Sequence, residues 1–495
     1  MVPTLKFAVF LLALFAFVDA SSAEKDFLQC EKIVREWARS ALEEEIEGDG
    51  HTLRDLLFFL HVPRTGGRTY FHCLVKKVYG AALECPRSYD KLRFDPRKPK
   101  CRLVATHDDY SIMSMLPREK TSVMTVLRHP VDRVFSAYEF SVEVASRFLV
   151  HPNLTSATEL TKRVRAKHKG VSTLDIWPWK YLVPWMREDL FARRDARKMK
   201  GLSYVNSNDS YNVEEMAMPL HQFINEPVVL DTVHNGATFQ VAGLTNNSYL
   251  AEAHDVRHCV QKFTILGEHV LQVAQKRLDN MLFVGLTEKH RESAKMFANV
   301  VGPQVISQIA SDSSMEGLSK IKSVTEQNSL LSDSELDSNY HQDGTSDQKP
   351  TENENVSTEN LEGIKKNMTV EKIMEEYKAC ISPLRNSQSV RRTNSLREIS
   401  PANFSKEARL LVPETVLQQI RSLNSLDLRL FKYAEGIYAK QNERMHELVT
   451  TEELKSVSSY SHGIRLWQAT VLATCFAFFI LLCVNARRRR SKLKI

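Results

Sequence analysis

The 495-residue sequence has no C-x-x-C pair, which removes the usual spacing of a structural zinc site. It has no G-x-x-x-x-G-K-[ST] loop, so the common nucleotide triphosphate cradle is missing. No internal repeat is visible. No carboxylate set stands out that would hold Mg²⁺, which argues against phosphoryl transfer. Residues 311–363 contain neither Trp nor Phe and are dense in Ser, Asp, Glu and Asn. Such a stretch cannot bury enough apolar surface to order itself, so a disordered acidic insertion is expected.

Charge is also unevenly present. The formal net charge of +7 hides three blocks: +6 in the tail 485–495, −9 in 311–363 (twelve acids against three lysines), and +10 in the rest. A basic folded portion favours anionic partners such as acidic peptides, sulfated glycans or nucleotides. Both chain ends are apolar. Lys6 is the only basic residue before the run Phe7 to Val18, and small residues follow, which predicts a signal peptide over 1–23. Leu466 to Val484 is 19 residues without a charge, followed at once by four Arg and two Lys. That pattern predicts one spanning helix with a cytosolic stop signal, and a lumenal or external folded portion. Nucleic acid is not an expected partner there.

Of eight cysteines, Cys475 and Cys483 lie in the apolar run. The other six, Cys30, Cys73, Cys85, Cys101, Cys259 and Cys380, suit disulfides in an oxidising compartment. A Cys85–Cys101 loop is expected; the remaining pairing stays open. Six N-x-[ST] sequons, at Asn153, Asn208, Asn246, Asn355, Asn367 and Asn403, fit the same compartment.

The organising stretch is Leu53 to Tyr79. An apolar run, Leu56 to Val62, has the length of a buried strand. Pro63-Arg64-Thr65-Gly66-Gly67-Arg68-Thr69 follows, then a helical segment with Leu74 and Val78 on one face. A strand, a glycine turn and a helix N-terminus make an anion site, because free N–H groups and the helix dipole point at the turn. Arg64 and Arg68 add forked donors that match phosphate or sulfate oxygens. A second unit repeats the arrangement. Strand Ser122 to Leu127 leads through Arg128-His129-Pro130 into a helix from Val131 to about Val144, with Ser136 about two turns in. A short strand, Leu103 to Thr106, ends in His107-Asp108-Asp109-Tyr110.

Other segments complete the expected layout. Glu24 to Glu47 reads as an amphipathic helix with Leu28, Ile33, Val34, Trp37 and Leu42 on its apolar side. Pro86 to Pro99 reads as a loop, and Gly170 to Leu190 as a Trp-bearing core or substrate wall. Gly236–Gly243 and Asn280–Thr287 read as strands, with helices at Val260–Leu278 and Glu288–Val300. Val370–Cys380 reads as a short helix, Arg385–Arg397 as a basic loop, and Pro413–Leu448 as a closing helical region. Alternating strands and helices imply a three-layer α/β core with a parallel sheet. Ligands then sit at the carboxyl ends of strands, where Arg64, His107 and Arg128 fall. The layout is signal peptide 1–23, α/β core 24–310, acidic insertion 311–363, closing helical part 364–450, stalk 451–465, C-terminal transmembrane helix 466–484 and basic tail 485–495.

The two anion units resemble the membrane-bound sulfotransferases of the secretory pathway. Their first loop, typically K-T-G-G-T, holds the 5′-phosphosulfate of PAPS (3′-phosphoadenosine 5′-phosphosulfate), and their R-[DH]-P-x-x-R-x-x-S unit holds the 3′-phosphate. Segment order is similar to the heparan-sulfate 6-O-sulfotransferase group, through His107-Asp108-Asp109-Tyr110, Phe283-Val284-Gly285-Leu286-Thr287-Glu288, and Asn424 to Ala434. Arg64 in place of Lys and a C-terminal anchor depart from that group. Both departures resemble the family's plant-type branch, which sulfates protein tyrosine.

The resemblance implies a P-loop-like fold, PAPS as donor, no metal, and a Golgi type I membrane protein acting on acidic tyrosine-containing peptides and proteins. Arg64, Thr65, Gly66, Gly67, Arg68, Thr69, Arg128 and Ser136 would hold the donor. Arg64 would stabilise the leaving oxygen, and Asp132 and Arg133 would be structural. A phenol needs a base at neutral pH. His107 is the choice, with Asp108 or Asp109 as its orienter or as the base instead. A glycan acceptor would share every donor residue, and a non-catalytic ectodomain would not need Arg64, Arg128 and Ser136 in this order.

Overall fold

The structure is a computed structural model that describes residues 24–45, 50–80, 83–85, 101–157, 159, 188–199, 211, 218–316, 369–397 and 404–492. The signal peptide, the 86–99 loop, the Trp-bearing stretch up to 187 and the insertion beyond 316 lie outside them. The chain divides into two compact units, Met1–Tyr438 and Ala439–Ile495.

The first unit is built on four parallel strands: β1 Leu56–Leu60, β2 Leu103–Thr106, β3 Thr121–Leu127 and β4 Phe283–Leu286, in the order β2-β1-β3-β4. Every residue of β1 and β3 is buried, so their continuous apolar runs match a sheet covered on both faces. Leu57 pairs with Leu103, Leu56 with Thr121, and Met124 with Phe283. This register brings His61, His107, Arg128 and Thr287, each just past a strand, to one edge of the sheet.

Helices surround this frame. Among them are α1 (24–43), α2 (Gly67–Tyr70, a π-helical turn Phe71–Val75, then Lys76–Tyr79), α3 Pro130–Phe148, α4 Glu188–Met199, α5 Gly236–Val241, α6 Ala253–Lys262, α7 Gly267–Asp279, α8 His290–Val300, α9 Gly302–Glu316, α10 Val370–Arg397, α11 Glu414–Leu423 and the first turns of α12 Ser425–Lys492, which continues into the second unit. Helix α1 buries Val34, Trp37 and Ala41 but leaves Leu28 exposed. Cys30–Cys259 ties it to α6, Cys73–Cys380 ties α2 to α10, and Cys85–Cys101 closes the loop expected from sequence. Three disulfides fit a secretory compartment.

Four expectations need correction. Gly236–Gly243 is not a strand, because Asp427 on α12 accepts from Ala237 N (3.2 Å), Thr238 N (2.7 Å) and Thr238 Oγ1 (2.7 Å) and so starts helix α5. That carboxylate comes from far along the chain and leaves no local signal. Arg385–Arg397 is not a loop: α10 runs through Pro383 to Arg397, with Arg392 on α3's buried Glu143 (3.3 Å) and Glu139 (3.8 Å). Long-range ion pairs there override a composition poor in helix formers. Val260–Leu278 breaks in two around a 3₁₀ turn at Thr264–Leu266. Helix α9 extends to Glu316, six residues into the stretch read as insertion.

Leu466–Val484 lies within α12. Among the described residues no helix is long and apolar enough to cross a membrane. Val471, Leu472, Phe476, Phe478, Phe479 and Leu481 are exposed there.

Candidate active site

Loop 1 follows β1. Thr65 is fully buried and its hydroxyl donates to the Val62 carbonyl (2.9 Å), which tightens the turn. Arg64 and Gly66 both take left-handed backbone, at φ 68° and 75°. Gly66 does so without penalty. Arg64 carries a cost of about 1–2 kcal/mol for its side chain, so the rest of the site must hold it there. Gly67 opens α2 against the His61 ring: a Cβ at Gly67 would stand 2.3 Å from His61 Cδ2. That ring cannot step aside easily, because it stacks on His107 (4.1 Å between centroids) and lies parallel to Phe59 (5.4 Å). Arg68 and Thr69 are half-buried on the first turn of α2.

Loop 2 follows β3, with Pro130 opening α3. The Arg128 guanidinium donates to the Arg64 carbonyl (3.3 Å), and Arg64 Nε and Nη2 donate to Ser136 Oγ (3.1 and 3.0 Å). The Arg64 guanidinium also covers the Phe140 ring at 4.4 Å. The two loops, 64 residues apart, thus meet through Arg64, Arg128 and Ser136. Burial pulls Arg64 down to about 10, although nearby Glu143 opposes the shift, and it lowers Arg128 as well. A desolvated pair of cations is stabilised by an anion between them.

Strand β4 braces both loops. Thr287 Oγ1 donates to the Thr65 carbonyl (2.5 Å) and lies 3.0 Å from the Leu127 carbonyl, while His129 N–H donates to Glu288 (2.8 Å). Behind loop 2, Arg133 pairs with Asp427 at 2.7 Å, both 1% exposed, and donates to the Thr232 carbonyl (2.6 Å). Asp132 pairs with Arg409 at 2.9 Å.

His107 ends β2 beside these loops. Its Nδ1–H donates to the His61 carbonyl (2.9 Å), and since a carbonyl only accepts, Nε2 carries the lone pair. Burial pulls this imidazole down to about 4, so it is neutral across the ordinary pH range. The same burial, with His107 beside it, holds His61 well below its usual value. A backbone carbonyl, not a carboxylate, sets the His107 tautomer. Asp108 accepts from Thr106 Oγ1 (2.8 Å) and from Asn247; Asp109 accepts from Thr245 N (2.9 Å), Thr245 Oγ1 (2.7 Å) and Ser111 N (3.0 Å). Burial raises Asp109 against those bonds. Both carboxylates organise the turn after β2. Gln240 on α5 completes the clamp, with its amide nitrogen 3.0 Å from the His107 carbonyl and 3.3 Å from that of His61.

The sequence pattern does not reach Gln240, because Gly236–Gly243 reads as a strand. It also misses His61, Glu139 and Glu143, which carry no motif of their own. Among the described residues no group of three or more His, Cys, Asp and Glu side chains is placed to hold a metal ion.

A parallel α/β sheet whose strand ends present two cationic turns beside a neutral imidazole defines a group-transfer enzyme using an anionic donor. No protein-family model matches the chain. Protein-tyrosine sulfotransferase of Arabidopsis thaliana is 54% identical over 499 residues, covering 98% of this chain and 98% of its own. With that identity and coverage, the chain belongs to the protein-tyrosine sulfotransferase family.

Proposed function

We propose that this protein transfers the sulfuryl group of PAPS to the phenol oxygen of tyrosine in acidic secreted peptides and proteins. The observation that carries this is the meeting of Arg64, Arg128 and Ser136 beside the neutral His107, on a chain 54% identical to a protein-tyrosine sulfotransferase. The donor site fits an anionic nucleotide: two guanidinium groups lowered by burial meet beside the glycine turn, Arg64 on the Ser136 hydroxyl and Arg128 on the Arg64 carbonyl. Arg128 and Ser136 would clamp the 3′-phosphate. Arg64 and the N–H groups of Thr65 to Thr69 would take the phosphosulfate. PAPS supplies the electrophilic sulfur when bound; the protein positions it and neutralises charge growing on the leaving phosphate.

His107 Nε2 takes the phenol proton as the phenol oxygen bonds to sulfur and the bond from sulfur to the bridging oxygen breaks. Arg64's charge is one cause holding His107 low. An anion that neutralises Arg64 therefore strengthens the base, so the base is better with the donor in place. The enzyme acts as a three-layer, P-loop-like sulfotransferase domain in the Golgi lumen, anchored by Leu466–Val484 as a type I membrane protein. Three disulfides, six sequons, the exposed apolar side chains of that run and the basic tail support the placement.

The test uses the full chain in detergent with labelled PAPS, an acidic tyrosine peptide, its phenylalanine counterpart and desulfated heparan. Label is expected on the tyrosine peptide alone. His107→Ala should lower kcat by about 10²–10⁴-fold. The acid limb of kcat/KM should fall at about 4 and not near ~6.5, because protonation below that value removes the base. Label on heparan alone would overturn the acceptor.

A further inference from the structure

We infer that His290 supplies one more hydrogen-bond donor to the anion seat at Gly66, and that Tyr377 is the positioning residue that keeps its imidazole in the donating form. The inference rests on the donor-site reading above and adds a residue to it.

His290 is the first residue of α8, three residues beyond Thr287. The side of Gly66 where a Cβ would stand faces this ring, with that point 3.7 Å from His290 Cδ2 and 3.9 Å from Nε2. The glycine serves the left-handed turn, and the imidazole edge stands at van der Waals distance from that point of the loop. The ring has two aromatic neighbours. Tyr377 lies nearly parallel to it at 5.9 Å, and Tyr70 meets it edge-on at 5.7 Å.

The tautomer follows from Tyr377. Its single hydroxyl hydrogen has two acceptors, His290 Nδ1 in close contact and the His290 carbonyl at 3.4 Å. The distant carbonyl is at the limit of hydrogen bonding, so the hydrogen goes to Nδ1 and Nε2 bears the ring's own hydrogen. Burial keeps both groups neutral: it pulls His290 down to about 4, with Arg385 adding to the effect, and pushes the Tyr377 phenol up. Yet His290 Nε2 is buried and has no hydrogen-bond partner. A buried N–H left unpaired costs about 1–3 kcal/mol, and such groups call for an explanation. An oxygen of an anion bound at the glycine turn would satisfy it. Tyr377 itself is held to the loop's own helix, because Cys380, three residues on, is bonded to Cys73 of α2.

The test is calorimetric binding of adenosine 3′,5′-bisphosphate to the full-length protein in detergent. His290→Phe keeps the ring and drops the donor. It should raise Kd about tenfold, the equivalent of one charge-assisted hydrogen bond of ~1.4 kcal/mol. His290→Gln carries an amide N–H to the Nε2 position and should stay within about threefold of wild type. His290→Asn, whose amide reaches only the Nδ1 position, should behave like His290→Phe. Tyr377→Phe should weaken binding about threefold, with KM for PAPS rising and kcat little changed. Arg128→Ala is the control. His290→Phe binding as wild type while Arg128→Ala has lost binding would overturn the inference alone. A loss of melting temperature with equal Kd in the Phe, Gln and Asn variants would also overturn it, since that marks a purely structural ring. Wild type and Arg128→Ala binding alike, or neither binding, would overturn the donor-site reading and this inference with it.

Discussion

The two anion-binding loops share a plan and differ in what holds them. Each follows a buried parallel strand, carries an arginine and opens a helix. Loop 1 is shaped by its backbone: two left-handed residues in three, and a glycine pressed on an imidazole. Loop 2 has ordinary backbone, with Pro130 at the helix start and His129 at φ −53°, and is anchored from behind by the buried pair of Arg133 and Asp427. Loop 1 is thus a matter of space and conformation, and loop 2 of side-chain electrostatics. A sequence motif records the residues of both but not this division.

Three substitutions sharpen or break that contrast. Asp427→Asn should have the largest effect on stability. It leaves Arg133 buried without its counter-charge, at a cost of about 3–5 kcal/mol, measurable as a lower denaturation midpoint. A full loss of activity at an unchanged midpoint would mean that the pair serves the chemistry and not the anchor. Gly67→Ala comes next and should fall mainly on the chemistry. The added carbon drives His61 into His107, so kcat should fall about 100-fold, or ~2.7 kcal/mol, while overpacking lowers the midpoint by less than Asp427→Asn does, at a cost of about 1–3 kcal/mol. A midpoint lowered as far as by Asp427→Asn would erase the contrast between the loops. Thr287→Val should be mildest. It removes the hydroxyl that bridges the Thr65 and Leu127 carbonyls, worth about 1 kcal/mol, read as a roughly fivefold rise in KM for PAPS.

The sheet was legible because its strands are continuous apolar runs, and that pattern depends on local composition alone. Arg64, Gly66, Gly67, Arg128 and Ser136 stand out through the order of the two loop motifs, since a glycine pair after a strand is by itself more often a plain connection; the structure brings Arg64, Arg128 and Ser136 together. The support of the site was not legible. Gln240 sits on a helix whose start is set by Asp427, so its neighbourhood read as a strand. Helix α10 read as half loop because Arg392 finds its acids on α3, more than two hundred residues away. Cys85–Cys101 closes a short loop and could be anticipated; Cys30–Cys259 and Cys73–Cys380 span separations of 229 and 307 residues and could not.

The Cys73–Cys380 bridge has a consequence for the chain as a covalent object. It joins the helix of loop 1 to α10 across the acidic stretch, so the polypeptide is closed into a ring there. A protease that cut anywhere between 316 and 370 would open the ring without releasing either side. The product would run as one species until reduced and as two afterwards. The acidic stretch is therefore a part of the sequence where cleavage or a change of length leaves Tyr377 tied to the glycine turn.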